Sequence, residues 1–145
     1  MSFNDLDGLL GEPARDSSPK VQRRPQVLVV DDDVQVLKAM RKVLSFFYDV
    51  TTATSALEAL AAISEAHAAV ILDIRMPTHD GFWACDRIRE RYPDVPVIFH
   101  TAHQSDKKLD AIQAQHRPFA YLFKDGDIDR LLATVAAAVQ SPRPS

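Results

Sequence analysis

The chain has 145 residues, long enough for one ordinary core and too short for two. Hydrophobic residues at 46% and charged residues at 26% exclude a disordered or membrane-embedded chain, and a net charge of −3 requires no polyanion as partner. Cys85 is the single cysteine, which excludes an internal disulfide or a paired-cysteine metal motif and leaves a buried, inert thiol as its expected state.

No apolar stretch approaches the ~18 residues of a membrane span. The start, Met1-Ser2-Phe3-Asn4-Asp5, lacks the basic-then-apolar order of a secretory signal, so the protein is expected in the cytoplasm, with no membrane and no direct nucleic acid as partner. Residues 1–25 hold Pro13, Pro19, Pro25, Gly8 and Gly11 and read as a mobile extension. Within it Phe3, Leu6, Leu9 and Leu10 have near-helical spacing, which allows a short partner-docking helix.

From residue 26 the pattern is regular. Val27-Leu28-Val29-Val30 is an apolar run that stops at Asp31-Asp32-Asp33. Asp33 is placed to cap a helix whose apolar positions Leu37, Met40, Leu44 and Phe47 recur at three and four. Val50-Thr51-Thr52-Ala53 is a short, more polar strand suited to a sheet edge. Ser55-x-x-Glu58 is a capping box opening an Ala/Leu helix through about Glu65. Ala69-Val70-Ile71-Leu72 then ends at Asp73, and Met76-Pro77-Thr78-His79-Asp80-Gly81 signals a tight loop. A third helix follows from Phe82 to Arg91, with Arg87, Arg89 and Arg91 read as a solvated face.

Val97-Ile98-Phe99 runs through His100 to Thr101, and Ser105 is a candidate cap for a helix to about Gln115 carrying Leu109 and Ile112. Ala120-Tyr121-Leu122-Phe123 ends at Lys124. Asp125-Gly126-Asp127 leads to a last helix with Ile128, Leu131, Leu132, Val135 and Val139 inward. Residues 26–140 form the domain, and 141–145 a tail or linker stub. Five strands alternating with five helices require an α/β fold with a parallel sheet covered on both faces, which explains the nearly unbroken apolar runs.

Four of these strands end at a residue able to handle phosphate or metal. In an open parallel sheet such ends meet in one crevice, where ligands bind. Asp31, Asp32 and Asp73 side by side need a cation or protons to coexist at neutral pH. An all-oxygen set favours Mg²⁺, or Mn²⁺, over zinc. Asp73 is the candidate nucleophile, Thr101 a donor to a phosphoryl oxygen and Lys124 a counter-charge.

Val29-Val30-Asp31-Asp32-Asp33, Leu72-Asp73-Ile74-Arg75-Met76-Pro77 with Asp80-Gly81, Phe99-His100-Thr101-Ala102 and Tyr121-Leu122-Phe123-Lys124 resemble the receiver domain of two-component response regulators, in order and spacing, over about residues 26–140. The resemblance implies a doubly wound, flavodoxin-like receiver fold with strand order 2-1-3-4-5. It implies that a histidine kinase or histidine phosphotransfer protein donates phosphate to Asp73, and that the domain is a switch assisting its own phosphorylation and dephosphorylation, not an enzyme. Asp32, Asp73 and the backbone carbonyl of Arg75 then hold Mg²⁺, with Asp31 acting through water. Thr101 and Tyr121 become the switch pair, reshaping a face made by the fourth helix, fifth strand and fifth helix for an unknown downstream protein or a second copy in a homodimer. Arg75 and His103 border the phosphoryl group and are expected to screen it from water.

One departure stands out. The family usually follows this lysine with proline, often in a cis peptide, and here Asp125 follows. A trans Lys124–Asp125 peptide is expected, because a non-proline cis bond costs about 2.5–4 kcal/mol. Asp125 then becomes a competitor for the lysine's ammonium.

Two other functions fit parts of the pattern. Asp31-x-Asp33, Thr101 and Lys124 match a haloacid-dehalogenase-type phosphatase superficially, but that scheme leaves Asp73 idle and provides no cap over a substrate. A phosphorylation-independent adaptor is compatible with the Lys124-Asp125 departure.

Overall fold

The computed structural model describes residues 24–102, 110–111 and 114–143. Five strands, β1 (Gln26–Val30), β2 (Asp49–Ala53), β3 (His67–Asp73), β4 (Val97–Thr101) and β5 (Ala120–Phe123), form one sheet in the order β2-β1-β3-β4-β5. Every pairing is parallel, with Val30 opposite Leu72, Asp73 opposite His100 and Thr101 opposite Phe123. The polar β2 lies at an edge, as expected.

Four helices are bounded among the described residues: α1 (Val34–Leu44), α2 (Ala56–Ala62), α3 (Gly81–Arg91) and α4 (Ile128–Gln140). The helix expected from Ser105 to Gln115, with Leu109 and Ile112, lies largely outside the described residues, although Asp110, Ala111, Ala114 and Gln115 are helical. The N-terminal segment with Phe3, Leu6, Leu9 and Leu10 lies outside them too. Among the described residues no helix is long and apolar enough to cross a membrane.

Alternation along each strand divides the apolar residues between two cores. Leu28, Val30, Val70, Leu72, Val97 and Phe99 face α2 and α3, and pack with Ala59, Ala84, Cys85 and Ile88. Val27, Val29, Ala69, Ile71, Ile98 and Leu122 face α1 and α4, and pack with Leu37, Met40, Leu44, Leu131 and Val135. Each fully buried Val, Leu or Ile contributes about 1.5–3 kcal/mol. Two-sided burial explains why the strands read as continuous apolar runs instead of alternating ones.

The caps form largely as read. Asp33 accepts from Gln35 N at 2.9 Å and Ser55 Oγ accepts from Glu58 N at 3.1 Å. Glu58, however, reaches back to Thr54 N, one residue before the cap. Helix α2 stops at Ala62, short of Glu65, because Ile63 turns extended and buries its side chain.

Three apolar or charged expectations need correction. Phe47 is 56% exposed, because α1 ends at Leu44 and the turn at Ser45 breaks the helical register; Tyr48 enters the core in its place. Ile128 is 43% exposed at the first position of α4, before the inward stripe of Leu131, Val135 and Ala138 begins. Nor are the arginines of α3 simply solvated. Arg89 donates to the His116 carbonyl and Arg91 to the Leu60 carbonyl at 3.0 Å, so one ties α3 to the turn before β5 and the other to α2.

Candidate phosphoacceptor and cation site

Parallel pairing brings the ends of β1, β3 and β5 to one rim. There Asp31, Asp32 and Asp73 each offer a carboxylate oxygen, all within 4.8 Å of one another, a donor set able to hold a metal ion. Asp31 and Asp73 are buried and Asp32 is exposed, so the set opens to solvent on one side. Asp31 is held from behind by Asp33 N, which donates to its Oδ1 at 2.9 Å.

Lys124 completes the cluster. Its Nζ lies 2.6 Å from Asp31 Oδ2 and 3.4 Å from Asp73 Oδ1. Burial works against its charge, but the hydrogen bond and charge of Asp31, and then those of Asp73, outweigh it and raise its pKa. The Lys124 backbone N–H donates to the Thr101 carbonyl at 2.8 Å, which fixes the β5 end against β4.

Asp73 is driven from its ordinary 3.8 to about 6, chiefly by burial and then by the Asp31 charge, with Lys124 opposing. Two buried carboxylates beside one ammonium leave excess negative charge. A divalent cation is the natural remedy, and all-oxygen ligands suit a hard ion.

Thr101 is 1% exposed at the end of β4. The pairings Phe99–Tyr121 and Thr101–Phe123 place Thr101 and Tyr121 on one face of the sheet, and Tyr121 is half-buried with its ring 5.0 Å from that of Phe123. Arg75 is exposed on the loop after β3. His103 lies outside the described residues.

Among the described residues Asp125 makes no ion pair with Lys124. Its Oδ1 accepts from Asp127 N at 3.0 Å, and Asp127 in turn caps α4 by accepting from Arg130 N. The acid therefore builds the turn into α4. The Lys124–Asp125 peptide is trans, since the described residues contain no cis bond. Asp33, the second acid of the phosphatase-like motif, is likewise occupied in capping α1, which removes that scheme's acid–base.

One residue carried more than the sequence suggested. His100, half-buried on the α1 and α4 face, lines a cavity of ≈ 210 Å³ with Met40, Leu122 and Leu131. Burial, then the Lys124 charge, lowers its pKa to about 4, so it is neutral. Its position in the strand alternation, two residues after inward-facing Ile98, was the available signal.

An acidic trio and a lysine at the carboxyl ends of a parallel 2-1-3-4-5 sheet define a phosphoacceptor class of signalling domain. The chain belongs to the response regulator receiver domain family, whose model matches residues 27–136. It is 38% identical over 119 residues to the DNA-binding transcriptional regulator NtrC of Salmonella typhimurium, covering 81% of this chain and 25% of that protein. It is 34% identical over 122 residues to the response regulator MprA of Mycobacterium avium, covering 82% of this chain and 53% of that protein. The chain thus spans a quarter to a half of these relatives. Among solved structures, the BeF3-activated DrrB receiver domain matches with a TM-score of 0.74 and 28% identity, covering 81% of this chain and 99% of that one. The protein is a receiver of two-component signalling, a domain type that takes phosphoryl groups from histidine kinases.

Proposed function

We propose that Asp73 accepts a phosphoryl group from the phosphohistidine of a histidine kinase or phosphotransfer protein. A carboxylate oxygen of Asp73 attacks phosphorus, the phosphorus–nitrogen bond breaks, and the departing imidazole nitrogen keeps the electron pair and takes a proton from solvent. The product is an acyl phosphate carrying about −1.5 to −2 charge if phosphomonoester values transfer. The domain is a switch that assists its own reaction and not a multiple-turnover enzyme, and it works in the cytoplasm.

Asp32, Asp73 and the Arg75 carbonyl would hold Mg²⁺, or Mn²⁺, with Asp31 acting through water. Bound there, the ion neutralises charge on the phosphoryl oxygens as they approach the carboxylates. Lys124 supplies the remaining positive charge, and the Thr101 hydroxyl donates to a phosphoryl oxygen. Drawing Thr101 inward frees space for Tyr121, and the neighbouring face then recognises a downstream protein or a second copy. Residues 26–140 form this unit, flanked by the segments 1–25 and 141–145.

The observation that carries this reading is the triad of carboxylates within 4.8 Å, with Lys124 Nζ 3.4 Å from Asp73 Oδ1. Acetyl phosphate or beryllofluoride with Mg²⁺ tests it. Chemical shifts around Asp73, Thr101 and Tyr121 should move in the unmodified chain and stay still in Asp73→Asn. A response that survives Asp73→Asn, or no response at all, returns the phosphorylation-independent adaptor.

A further inference from the structure

The loop between β3 and α3 contains a strained turn that stacked rings hold from outside. Gly81 N donates to the Ile74 carbonyl at 2.7 Å, so the two ends of the loop meet. Inside it, His79 N donates to the Pro77 carbonyl at 2.8 Å across Thr78, whose φ is 71°. This is a γ-turn with positive φ, a rare and strained conformation, here at a β-branched residue poorly suited to it. Such conformations persist where the surroundings over-determine them.

The surroundings here are aromatic. The His79 imidazole stacks on the Trp83 indole, with centroids 3.8 Å apart and planes 16° apart. Trp83 packs against the core behind α3, its backbone N–H donates to Asp80 Oδ1 at 2.9 Å, and Arg87 Cζ lies 5.8 Å from its ring centroid. The indole is therefore an anchored platform on which the imidazole rides. Both residues are half-buried, so the stack keeps an exposed edge.

We propose that His79 is a positioning residue: by stacking on Trp83 it holds the Thr78 turn, and with it the loop that carries the Arg75 carbonyl toward the cation. This rests on the proposed cation site of Asp31, Asp32, Asp73 and the Arg75 carbonyl. It adds a determinant of cation affinity that touches neither the ion nor the phosphate. It also makes Trp83, the single tryptophan, a reporter of loop order.

Mg²⁺ affinity of the full chain tests the proposal, measured by calorimetry and by Trp83 emission with Mg²⁺ alone. Removing an aromatic stack changes an equilibrium by a factor of about 2–10. His79→Ala should raise the Mg²⁺ Kd by that factor. His79→Phe, which retains a flat ring, should stay within about twofold of the parent, whereas His79→Leu should resemble His79→Ala. Urea unfolding without Mg²⁺ separates this from general loosening, and the Phe and Leu pair carries the comparison should the Ala variant not fold. An unchanged Kd in His79→Ala, or a Phe variant as weak as the Leu variant, overturns the proposal alone. A parent chain that binds Mg²⁺ no better than Asp32→Asn removes the cation site itself, and this inference falls with it.

Discussion

Lys124 Nζ lies 2.6 Å from Asp31 Oδ2, closer than the 3.4 Å separating it from Asp73 Oδ1. The lysine is thus engaged chiefly by the carboxylate that is not the proposed phosphoacceptor. In this state it neutralises Asp31; a phosphoryl group on Asp73, as proposed, would compete for the same ammonium.

Lys124→Met is therefore expected to destabilise the cation-free protein by about 1–3 kcal/mol at neutral pH, since it leaves buried carboxylates without their counter-charge. Mg²⁺ should recover much of that loss by supplying positive charge at the same place. Urea unfolding with and without Mg²⁺ checks both statements. Equal losses in the two conditions would show that the lysine and the cation do not share a role.

Asp73 and His100 oppose each other in pH dependence. Asp73 has a folded pKa of about 6 against an ordinary 3.8, so the folded state holds the proton more tightly. Its contribution is present at low pH and is lost as pH rises through about 6. His100 has a folded pKa of about 4 against 6.5, so its contribution is present above 6.5 and lost as pH falls toward 4. Without divalent cation the two slopes largely cancel. Asp73→Asn should expose a stability that falls by about 1–3 kcal/mol from pH 7 to 4, and His100→Gln one that rises by a similar amount. Matching slopes in both variants would contradict the assignment.

Gly81→Ala meets backbone on both sides: its Cβ would stand 2.2 Å from the Asp73 carbonyl oxygen and 2.8 Å from Ile74 Cα. Neither neighbour is a side chain able to swing away, so the end of β3 must shift. A loss of about 2–4 kcal/mol is expected, together with weaker Mg²⁺ binding, because the moved residue is Asp73 itself. Thermal unfolding and calorimetry on the same samples measure the two effects.

Thr101→Ala should separate binding from signalling. The hydroxyl is proposed to act on the phosphoryl group and not on the cation, so Mg²⁺ affinity should stay within about twofold. The beryllofluoride-induced shift change at Tyr121 should vanish, and Thr101→Ser should restore it. A Tyr121 response that persists in Thr101→Ala would remove the coupling between the two.

Much of the fold was legible because its determinants are local or periodic. Unbroken apolar runs between helical patterns imply two-sided burial, and the Asp33 and Ser55 caps follow from short polar side chains meeting free N–H groups. The acidic layer was legible for the same reason, since each acid directly ends a buried run. Other features turn on where a neighbouring element stops or passes. Phe47 faces outward because α1 ends one turn early, and Asp125 turns to the α4 cap and away from Lys124. Arg89 is a clamp because the His116 carbonyl happens to lie beneath it.

By itself the sequence determined the strands, the first two helix caps and the set of groups at one sheet edge, because burial period and strand-end chemistry are written residue by residue. Only the tertiary structure decided that Lys124 prefers Asp31, that His100 is half-buried and neutral, and that His79 stacks on Trp83. Those outcomes depend on distances of 2.6 Å and 3.8 Å between groups on different elements or across a loop, set by how the layers pack and not by any local pattern.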